Sequence, residues 1–407
     1  MSLKEHFKTF LNLEHFKKIV TINLLFFLFF LISDSLDVFV PLYLKSQNMP
    51  AINLGLLQSA TLILRMFVVM LIAKPTLKTK KNILMIFIII NMINIFWIPR
   101  ISNHFYFYYV FGLLMVSRSI FNGTMNPTLA KLLPDQLMGL GFGIRDVFLN
   151  LGSFLGLILS GLVTKHFGNS GFYLFISTAL VFLLLVLAML KPNFEVKINS
   201  EYQKESSGPS KSSAFHSLPR NYKVNFIRIC LIGICLSFGK SAEIYLPNVA
   251  NDIGFMDEHI FYLFSSSVLL TSFLSFAGGM IIDIFNKKHL YYAYILVSFL
   301  SVLFLSLHNK LFFSLSLFLI GINGVLDNIE QTYFFEFYKS FNLDGLWAIN
   351  AAVQMGASFF VPTFMGFLYD IGFQAMIISC FIFLLISLFL SFGLKLKRSV
   401  GKESYEK

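Results

Sequence analysis

Residues 19–44, IVTINLLFFLFFLISDSLDVFVPLYL, decide the fold of this chain. The segment is long and apolar enough to cross a membrane, because about 20 apolar residues in a helix span the hydrocarbon core. Similar runs recur along all 407 residues, of which 56% are hydrophobic and 13% charged, and the mean hydropathy is +0.73. The composition predicts an all-α integral membrane protein. It excludes a soluble enzyme, a disordered protein, a secreted disulfide scaffold and a transmembrane β-barrel.

Apolar runs between polar breaks predict twelve transmembrane helices. The predicted spans are 19–44, 52–73, 82–99, 105–126, 141–164, 171–191, 225–249, 259–282, 289–308, 311–337, 346–368 and 372–395. The polar, serine-rich segment 192–224 divides six spans from six and is typical of a flexible linker. We therefore predict a six-helix bundle at 1–191, a cytoplasmic linker at 192–224, and a second bundle with a short cytoplasmic tail at 225–407.

Lysine and arginine are unevenly distributed among the connecting segments. If both termini are cytoplasmic, most of the 32 Lys and Arg residues fall in cytoplasmic segments, and the outer segments hold only Lys45, Arg100, Lys165 and Lys310. This asymmetry follows the positive-inside rule and predicts a multi-pass protein of a bacterial inner membrane with both termini inside. The net charge of +11 is thus a topology signal, and we expect no nucleic-acid partner.

The second half of the chain repeats features of the first. Three positions of the first span recur in the seventh at an offset of 206 residues: Asp34, Asp37 and Pro41 match Lys240, Glu243 and Pro247. At a similar offset, Gly152 of the fifth span matches Gly356 of the eleventh. Two six-helix halves in the same orientation indicate a parallel repeat about an axis normal to the membrane.

With these features the chain resembles the major facilitator superfamily of transporters. The family motif G-x-L-x-D-x-x-G-R-K between spans eight and nine is matched by Gly279, Ile281, Asp283, Lys287 and Lys288. The fifth-span motif G-x-x-x-G-P-x-x-x-G, associated with exporters, is matched by Gly152, Gly156 and Gly161, with Leu157 in place of the proline. The fourth-span motif, an arginine followed by a nearby glycine, is matched by Arg118 and Gly123. The resemblance implies two pseudo-equivalent bundles, with spans one, four, seven and ten around a central cavity.

Eight ionisable residues lie near the middle of predicted spans. They are Asp34, Asp37, Arg65, Arg118, Lys240, Glu243, Asp327 and Glu330. Each would cost about 2.5–3.5 kcal/mol at the centre of a lipid-facing helix, so we expect them to face a polar interior or one another. The acids and Lys240 form three pairs spaced three residues apart, which places each pair on one helix face. Seven of the eight lie on the four spans that the resemblance places around the cavity.

The signs of these charges predict their roles. Burial favours the protonated form of a carboxyl group, so we expect the proton-coupling groups among the five acids Asp34, Asp37, Glu243, Asp327 and Glu330. The three bases Arg65, Arg118 and Lys240 are candidates for binding an anionic substrate group. Arg118 can instead couple conformational changes, as the resemblance implies, and Arg65 can neutralise an acid on the first span. Asp34 and Lys240, at equivalent positions of the two halves, are expected to attract each other, and protonation of Asp34 or Asp37 is expected to loosen this attraction.

The predicted function is secondary active, proton-coupled transport by alternating access. The fifth-span glycines favour outward movement, by antiport, of a small polar organic molecule such as a siderophore-like metabolite or a drug. The alternative is uptake of a nutrient or a metal-loaded siderophore by proton symport. Because the histidines lie at span ends or in loops and no nucleotide-binding or nucleophile motif occurs, we expect no enzyme, metal site or cofactor. The expected partners are the substrate, protons and the lipid bilayer, with the protein as a monomer.

Overall fold

The computed structural model describes residues 16–72, 77–98, 104–133, 138–189, 215–216, 218–284, 287–326, 328–338 and 343–394. Within these ranges the chain forms helices joined by short turns, and none of them contains a strand. The all-α fold predicted from the apolar runs is confirmed. Most of the predicted linker at 192–224 lies outside the described residues, so the domain boundaries there stay predictions.

In the part of the N-terminal half that the structure describes, the chain forms five helical elements. They are α1 (Phe16–Ser46), α2 (Ala51–Ile72), α3 (Leu77–Trp97), α4 (His104–Leu132) and α5 (Met138–Met189). α5 is interrupted at Gly168, whose φ of 62° is a backbone conformation that glycine adopts without strain. The predicted fifth and sixth spans are therefore two helical stretches that meet at this glycine.

The C-terminal half contains nine α-helices and a short 3₁₀ turn within the described ranges. They are α6 (Arg220–Gly239), the 3₁₀ turn (Ser241–Tyr245), α7 (Leu246–Asp252), α8 (Asp257–Ile284), α9 (Lys287–Ser306), α10 (Lys310–Leu326), α11 (Asn328–Tyr338), α12 (Leu343–Ser358), α13 (Val361–Ile371) and α14 (Phe373–Phe392). The described helix ends differ from the predicted span boundaries by a few residues.

Two predicted spans of this half are broken at residues that the structure describes. The seventh, predicted as one helix over 225–249, is interrupted by the 3₁₀ turn, and the eleventh, predicted over 346–368, is interrupted at 359–360. Pro247 and Pro362 lie in the first turns of the helices that resume, where a missing N–H costs no intrahelical hydrogen bond. In α1, by contrast, the helix continues through Pro41. Spans one and seven, which are equivalent in the repeat, therefore differ in local structure.

Large apolar side chains are exposed around the bundle. Phe389 and Phe182 are 78% and 58% exposed, and Leu185 and Phe392 are also exposed. A water-soluble protein would bury such a surface, whereas hydrocarbon accommodates it. Seven helical stretches of the described residues are long and apolar enough to cross a membrane. The chain is therefore a multi-pass membrane protein, and the count of twelve passes stays a prediction.

The two halves meet mainly along two pairs of helices. α5 packs against α8, and α2 packs against α13. α5 also packs along α1 within its own half. α5 therefore contacts both its own bundle and the opposite one.

Polar contacts join the halves at one end of the bundle, where α1 ends at Ser46 and α2 begins at Ala51. We call this the outer end, following the predicted topology. Lys45 Nζ donates a hydrogen bond to the backbone oxygen of Asn248 at 2.9 Å and forms an ion pair with Asp252. These groups are partly exposed, so each contact contributes little, about 0–1 kcal/mol, and is easily reversed.

Asp370, in the last turn of α13, caps α2 from the opposite half. Its carboxylate oxygens accept the backbone N–H groups of Ala51 at 2.8 Å and Ile52 at 2.9 Å. α2 has no acid in its own first turn, and the N–H groups there need an acceptor. Lys165 Nζ adds an ion pair with Glu258 Oε1 at 2.9 Å. In this conformation the halves are closed against each other at the outer end.

Candidate functional site

Arg118 on α4 lies between the two acids of α1. Its Nη1 is 2.6 Å from Asp37 Oδ2, and its Nη2 is 3.3 Å from Asp34 Oδ1. The spacing of three residues places both acids on one helix face, so a single guanidinium contacts both. The exposed side-chain fractions are 23% for Arg118, 22% for Asp34 and 39% for Asp37, so the group is only partly shielded.

Ser153 on α5 joins this group through a hydrogen bond to Asp34. Its Oγ lies 2.6 Å from Asp34 Oδ2 and 3.1 Å from the backbone oxygen of Leu149. Ser153 is fully buried. Helices α1, α4 and α5 therefore converge on the carboxylate of Asp34.

Arg65 on α2 lies beside these residues and is half-buried. Its Nε donates a hydrogen bond to Ser119 Oγ on α4 at 2.6 Å, and the charges of Arg118 and Asp37 act on it. Within the described part of the chain, no hydrogen bond is formed by its terminal nitrogens. We call Asp34, Asp37, Arg65 and Arg118 the N-half charge cluster. In this cluster two acids face two bases.

The second pair of predicted residues lies at the break in span seven. Lys240 follows the end of α6, and its Nζ is 3.9 Å from Glu243 Oε1 in the 3₁₀ turn. Lys240 Nζ also donates a hydrogen bond to Tyr294 Oη at 3.3 Å and lies 5.1 Å from the centre of that ring. Both residues line a cavity that Ser298 and Ser301 also line. A short 3₁₀ stretch inside a longer helix is typical of functional hinges, and broken helices are typical of transporter binding sites.

Glu330 on α11 belongs to a third group of polar residues. Its Oε1 accepts a hydrogen bond from Gln354 Nε2 at 2.7 Å, and Gln354 Nε2 also contacts Asn350 Oδ1 at 3.3 Å. Asn350 Oδ1 in turn accepts from Cys230 Sγ at 3.2 Å. Asp327, the other predicted acid of this span, lies outside the described residues.

The structure thus distributes the predicted charged residues over three polar groups. Asp34, Asp37 and Arg118 are in direct contact, with Arg65 beside them, whereas the contacts described for Lys240, Glu243 and Glu330 lie in the C-terminal half. The predicted attraction between Asp34 and Lys240 is not supported in this conformation, because the contacts described for each residue lie within its own half. One chamber shared by all three groups stays a prediction.

The fifth-span glycines have two different roles. An added Cβ would lie 2.1 Å from the backbone oxygen of Phe27 at Gly152 and 2.1 Å from that of Leu31 at Gly156. Both glycines therefore let α1 approach α5 within the N-terminal half. Gly161 instead faces α8 of the other half, where a Cβ would lie 3.1 Å from Phe261 Cβ. The close approach of α1 to α5 is what brings Ser153 within hydrogen-bond distance of Asp34.

Gly152→Ala and Gly156→Ala are each expected to destabilise the protein. At an open helix position this substitution stabilises by about 1 kcal/mol, but overpacking against a fixed backbone oxygen costs about 1–3 kcal/mol. Thermal unfolding of the purified protein measures the effect. The matched control is Gly356→Ala, the repeat counterpart of Gly152, where an added Cβ meets only open space. An unfolding temperature of Gly152→Ala equal to or above that of Gly356→Ala would contradict the close packing of α1 on α5.

The predicted gating-loop motif falls at the junction of α8 and α9. Gly279 and Asp283 lie in α8, and Lys287 begins α9, but their side chains are outside the described part of the structure. Lys288 is described: its Nζ donates to the backbone oxygen of Phe392 at 3.4 Å. A gating role for this motif stays a prediction.

A buried amide–hydroxyl pair recurs in the two halves. Asn91 Nδ2 on α3 donates to Ser117 Oγ on α4 at 2.7 Å, and Asn323 Nδ2 on α10 donates to Ser298 Oγ on α9 at 2.7 Å. The serine and the asparagine have exchanged helices, at the same offset of about 206 residues that relates Asp34 to Lys240. Equivalent helix contacts in both halves support the parallel repeat inferred from the sequence.

Sequence reasoning missed the neutral partners of the charged residues. Ser153, Ser119, Gln354 and Tyr294 all donate to or accept from a predicted site residue. Neutral polar residues cost little in a span and are common in it, so composition does not single them out. Only Ser153 carried a signal, because it follows Gly152 in the small-residue motif of the fifth span.

A sequence profile described as Major Facilitator Superfamily matches residues 22–256, which is more than half of the chain. A search of curated proteins gave no match.

Solved structures of transporters are similar over nearly the whole length. The nucleoside transporter NupG has a TM-score of 0.70 and 15% identity, covering 92% of this chain and 98% of that one. A bacterial homologue of the human lysosomal transporter Spinster, inward-facing and unoccupied, has a TM-score of 0.66 and 11% identity, covering 92% and 95%. The transporter FucP, in an outward conformation, has a TM-score of 0.63 and 15% identity, covering 93% and 99%. At these identities the likeness establishes the fold alone.

Proposed function

The chain belongs to the major facilitator superfamily, and from that premise we propose that it is a proton-coupled secondary transporter that works by alternating access. Family and fold make it a membrane transporter rather than an enzyme. The proposal adds protons as the coupling ion and a small polar organic molecule as the cargo. It also adds a bacterial inner membrane with both termini cytoplasmic as the location, and a monomer as the working unit.

The observation that carries the proposal is the position of Arg118 between Asp34 and Asp37. Protonating either acid removes part of the charge that compensates Arg118 and weakens its contact with α1. A protonation that favours one arrangement of helices over another is what proton coupling requires. The reversible contacts at the outer end supply a closed state from which the other arrangement can form.

Arg65 supports a polar cargo with an anionic group. The fork of Arg118 is occupied by Asp34 and Asp37, whereas in the described residues Arg65 uses only its Nε, to Ser119. Its terminal nitrogens suit a carboxylate or phosphate, which bind a guanidinium through two parallel hydrogen bonds. Glu330 and Glu243 suit a cationic group on the same cargo. A zwitterionic or polycarboxylate metabolite, including a siderophore-like compound, fits this set better than an apolar drug.

For direction, we propose export by antiport, on the fifth-span glycines that match the exporter motif. Uptake by proton symport is the second candidate. It is favoured by Leu157 in place of the motif's proline and by the packing of Gly152 and Gly156 inside one half rather than between the halves. Comparing metabolites inside deletion cells and in their medium distinguishes the two. Intracellular accumulation of one compound supports export, and failure to take up an added compound supports import.

Asp34→Asn and Asp37→Asn are expected to reduce proton-driven transport at least about tenfold in membrane vesicles, because neither amide can exchange a proton. Exchange of labelled for unlabelled cargo without a proton gradient should persist. The control is Asp257→Asn, an exposed acid in the first turn of α8. Unchanged proton-driven transport in both variants would contradict the assigned proton site.

A further inference from the structure

We propose that Ser153 is a positioning residue that transmits the protonation state of Asp34 to α5, and through α5 to the interface between the two halves. The inference rests on the proposed proton coupling at Asp34. It deepens that proposal by naming how a charge on α1 reaches the other half of the protein.

The hydroxyl of Ser153 has two acceptors and a single hydrogen. Asp34 Oδ2 lies 2.6 Å from its Oγ, and the backbone oxygen of Leu149 lies 3.1 Å away. A hydroxyl donates one hydrogen bond at a time, and a bond to an ionised carboxylate is stronger than one to a neutral carbonyl. With Asp34 ionised, the hydrogen points to α1. With Asp34 protonated, the bond to α1 loses its charge assistance, and the hydrogen turns to the carbonyl of its own helix.

Two glycines allow α1 and α5 to pack in close contact. Gly152 and Gly156 flank Ser153, and at both positions the backbone of α1 lies where a Cβ would be. Since the helices are in backbone contact, the bond between Ser153 and Asp34 is short and requires no bridging water. Weakening this bond loosens the contact of α5 with the polar face of α1 at this level of the membrane.

α5 carries the change across to the other half. Within two turns of Ser153, the backbone oxygen of Val147 accepts from Ser272 Oγ at 3.3 Å, and Asn150 Nδ2 donates to Ser275 Oγ at 3.3 Å. Both serines lie on α8, the main partner of α5 in the C-terminal half. A shift of α5 relative to α1 therefore alters contacts between the halves directly.

Other charged groups lie on α1 and on the helices around it. Besides Asp34, the acidic, basic and histidine side chains described on α1 and on the helices packed against it are Lys17, Lys18, Asp37, Lys45, Arg65, Arg118, Arg145, Asp146, Lys165, His166, Asp252, Asp257, Glu258 and His259. Arg145 pairs with Asp146, and Lys45 pairs with Asp252 at the outer end. The groups that act directly on Asp34 are Arg118 and Asp37. Ser153 is a neutral donor beside them, so its removal tests the hydrogen bond without changing the charge of the site.

The test needs no cargo. Spin labels are attached to cysteines introduced at the exposed positions Ser46 and Leu307, at the outer end of each half, after Cys230, Cys235 and Cys380 are replaced by alanine. Distances between the labels are measured against pH in nanodiscs for the otherwise unchanged protein and for the Ser153→Ala, Asp34→Asn and Ser160→Ala variants. Ser160 is the matched control, since it is a buried serine of the same helix whose hydroxyl has no hydrogen-bond partner among the described residues.

We expect the label distance to change with pH and the midpoint to move about one pH unit upward in Ser153→Ala, because the ionised form of Asp34 loses a hydrogen bond. Ser160→Ala should keep the original midpoint, and Asp34→Asn should abolish the response. An unchanged midpoint in Ser153→Ala, with Asp34→Asn unresponsive, would overturn this inference alone. A full pH response in Asp34→Asn, or none in the unsubstituted protein, would overturn the assigned proton site and the inference with it.

Discussion

Replacing Arg118 with glutamine is expected to lower transport at least about a hundredfold. The substitution leaves Asp34 and Asp37 facing each other without the guanidinium that contacts both. Removing one partner of a buried ion pair costs about 3–5 kcal/mol of free energy, and the partial exposure of these side chains places the cost at the lower end of that range. If this free energy is lost in the rate-limiting step, about 3 kcal/mol corresponds to a rate at least about a hundredfold lower. The acids would respond by taking up protons, which removes the charge change on which coupling depends.

Transport of an identified cargo into or out of vesicles measures this effect, with Arg220→Gln as the control because Arg220 is exposed at the start of α6. A triple variant that also carries Asp34→Asn and Asp37→Asn is expected to recover part of the lost thermal stability, since the two acids no longer repel each other and only Arg65 of the cluster stays charged, but not proton-driven transport. Normal transport by Arg118→Gln would contradict the assigned role of the cluster. Recovery of proton-driven transport in the triple variant would contradict the assignment of the two acids.

Linking α2 to α13 by a disulfide is expected to stop transport completely and reversibly. Ser59 Oγ and Thr363 Oγ1 lie 2.8 Å apart and belong to different halves, so cysteines at both positions place the sulfur atoms close to bonding distance. The outer end would then be held closed by a covalent bond, whereas its natural ion pairs are weak and reversible. Alternating access requires this end to open once in each cycle.

The measurement is transport before oxidation, after oxidation and after reduction, in a protein whose native cysteines are replaced. The matched control is a cysteine pair at Asn91 and Ser117, whose Nδ2 and Oγ atoms lie 2.7 Å apart. Both residues belong to the same half, so alternating access does not require α3 and α4 to separate there. Oxidation of the control pair should leave transport intact. Continued transport with the Ser59–Thr363 disulfide fully formed would contradict alternating access at this end.

The charged residues of the candidate site could be singled out from the sequence, because the free-energy cost of a charge in an apolar span depends only on its neighbours along the chain. Asp34, Asp37 and Arg118 each stand out against apolar neighbours, and a charge that faces lipid is expensive wherever it lies along the helix. Their partners could not be predicted in the same way. The expected attraction joined Asp34 to Lys240 across the repeat, whereas the structure pairs Asp34 with Arg118 and Ser153. A partner depends on the rotation and approach of helices that are far apart in sequence.

The breaks in the helices likewise could not be predicted from the sequence. Pro41 and Pro247 occupy equivalent positions of the repeat, and hydropathy treats both spans alike. Of these two spans, only span seven is broken. α1 continues through Pro41, whereas span seven forms a 3₁₀ turn from Ser241 to Tyr245 before Pro247. Gly152 and Gly356 are likewise equivalent in sequence, yet one contacts a backbone oxygen and the other faces open space.

The amino-acid sequence by itself determined that the chain is an all-α membrane protein, and it predicted two related halves and the ionisable residues at membrane depth. These properties follow from apolar length, charge placement and internal repetition, each of which is a sum over neighbouring residues. The tertiary structure alone decided which helix closes on which, that Ser153 reaches Asp34, and that the halves are joined at the outer end. Those contacts depend on distances between helices, which close packing fixes only when the whole bundle is assembled.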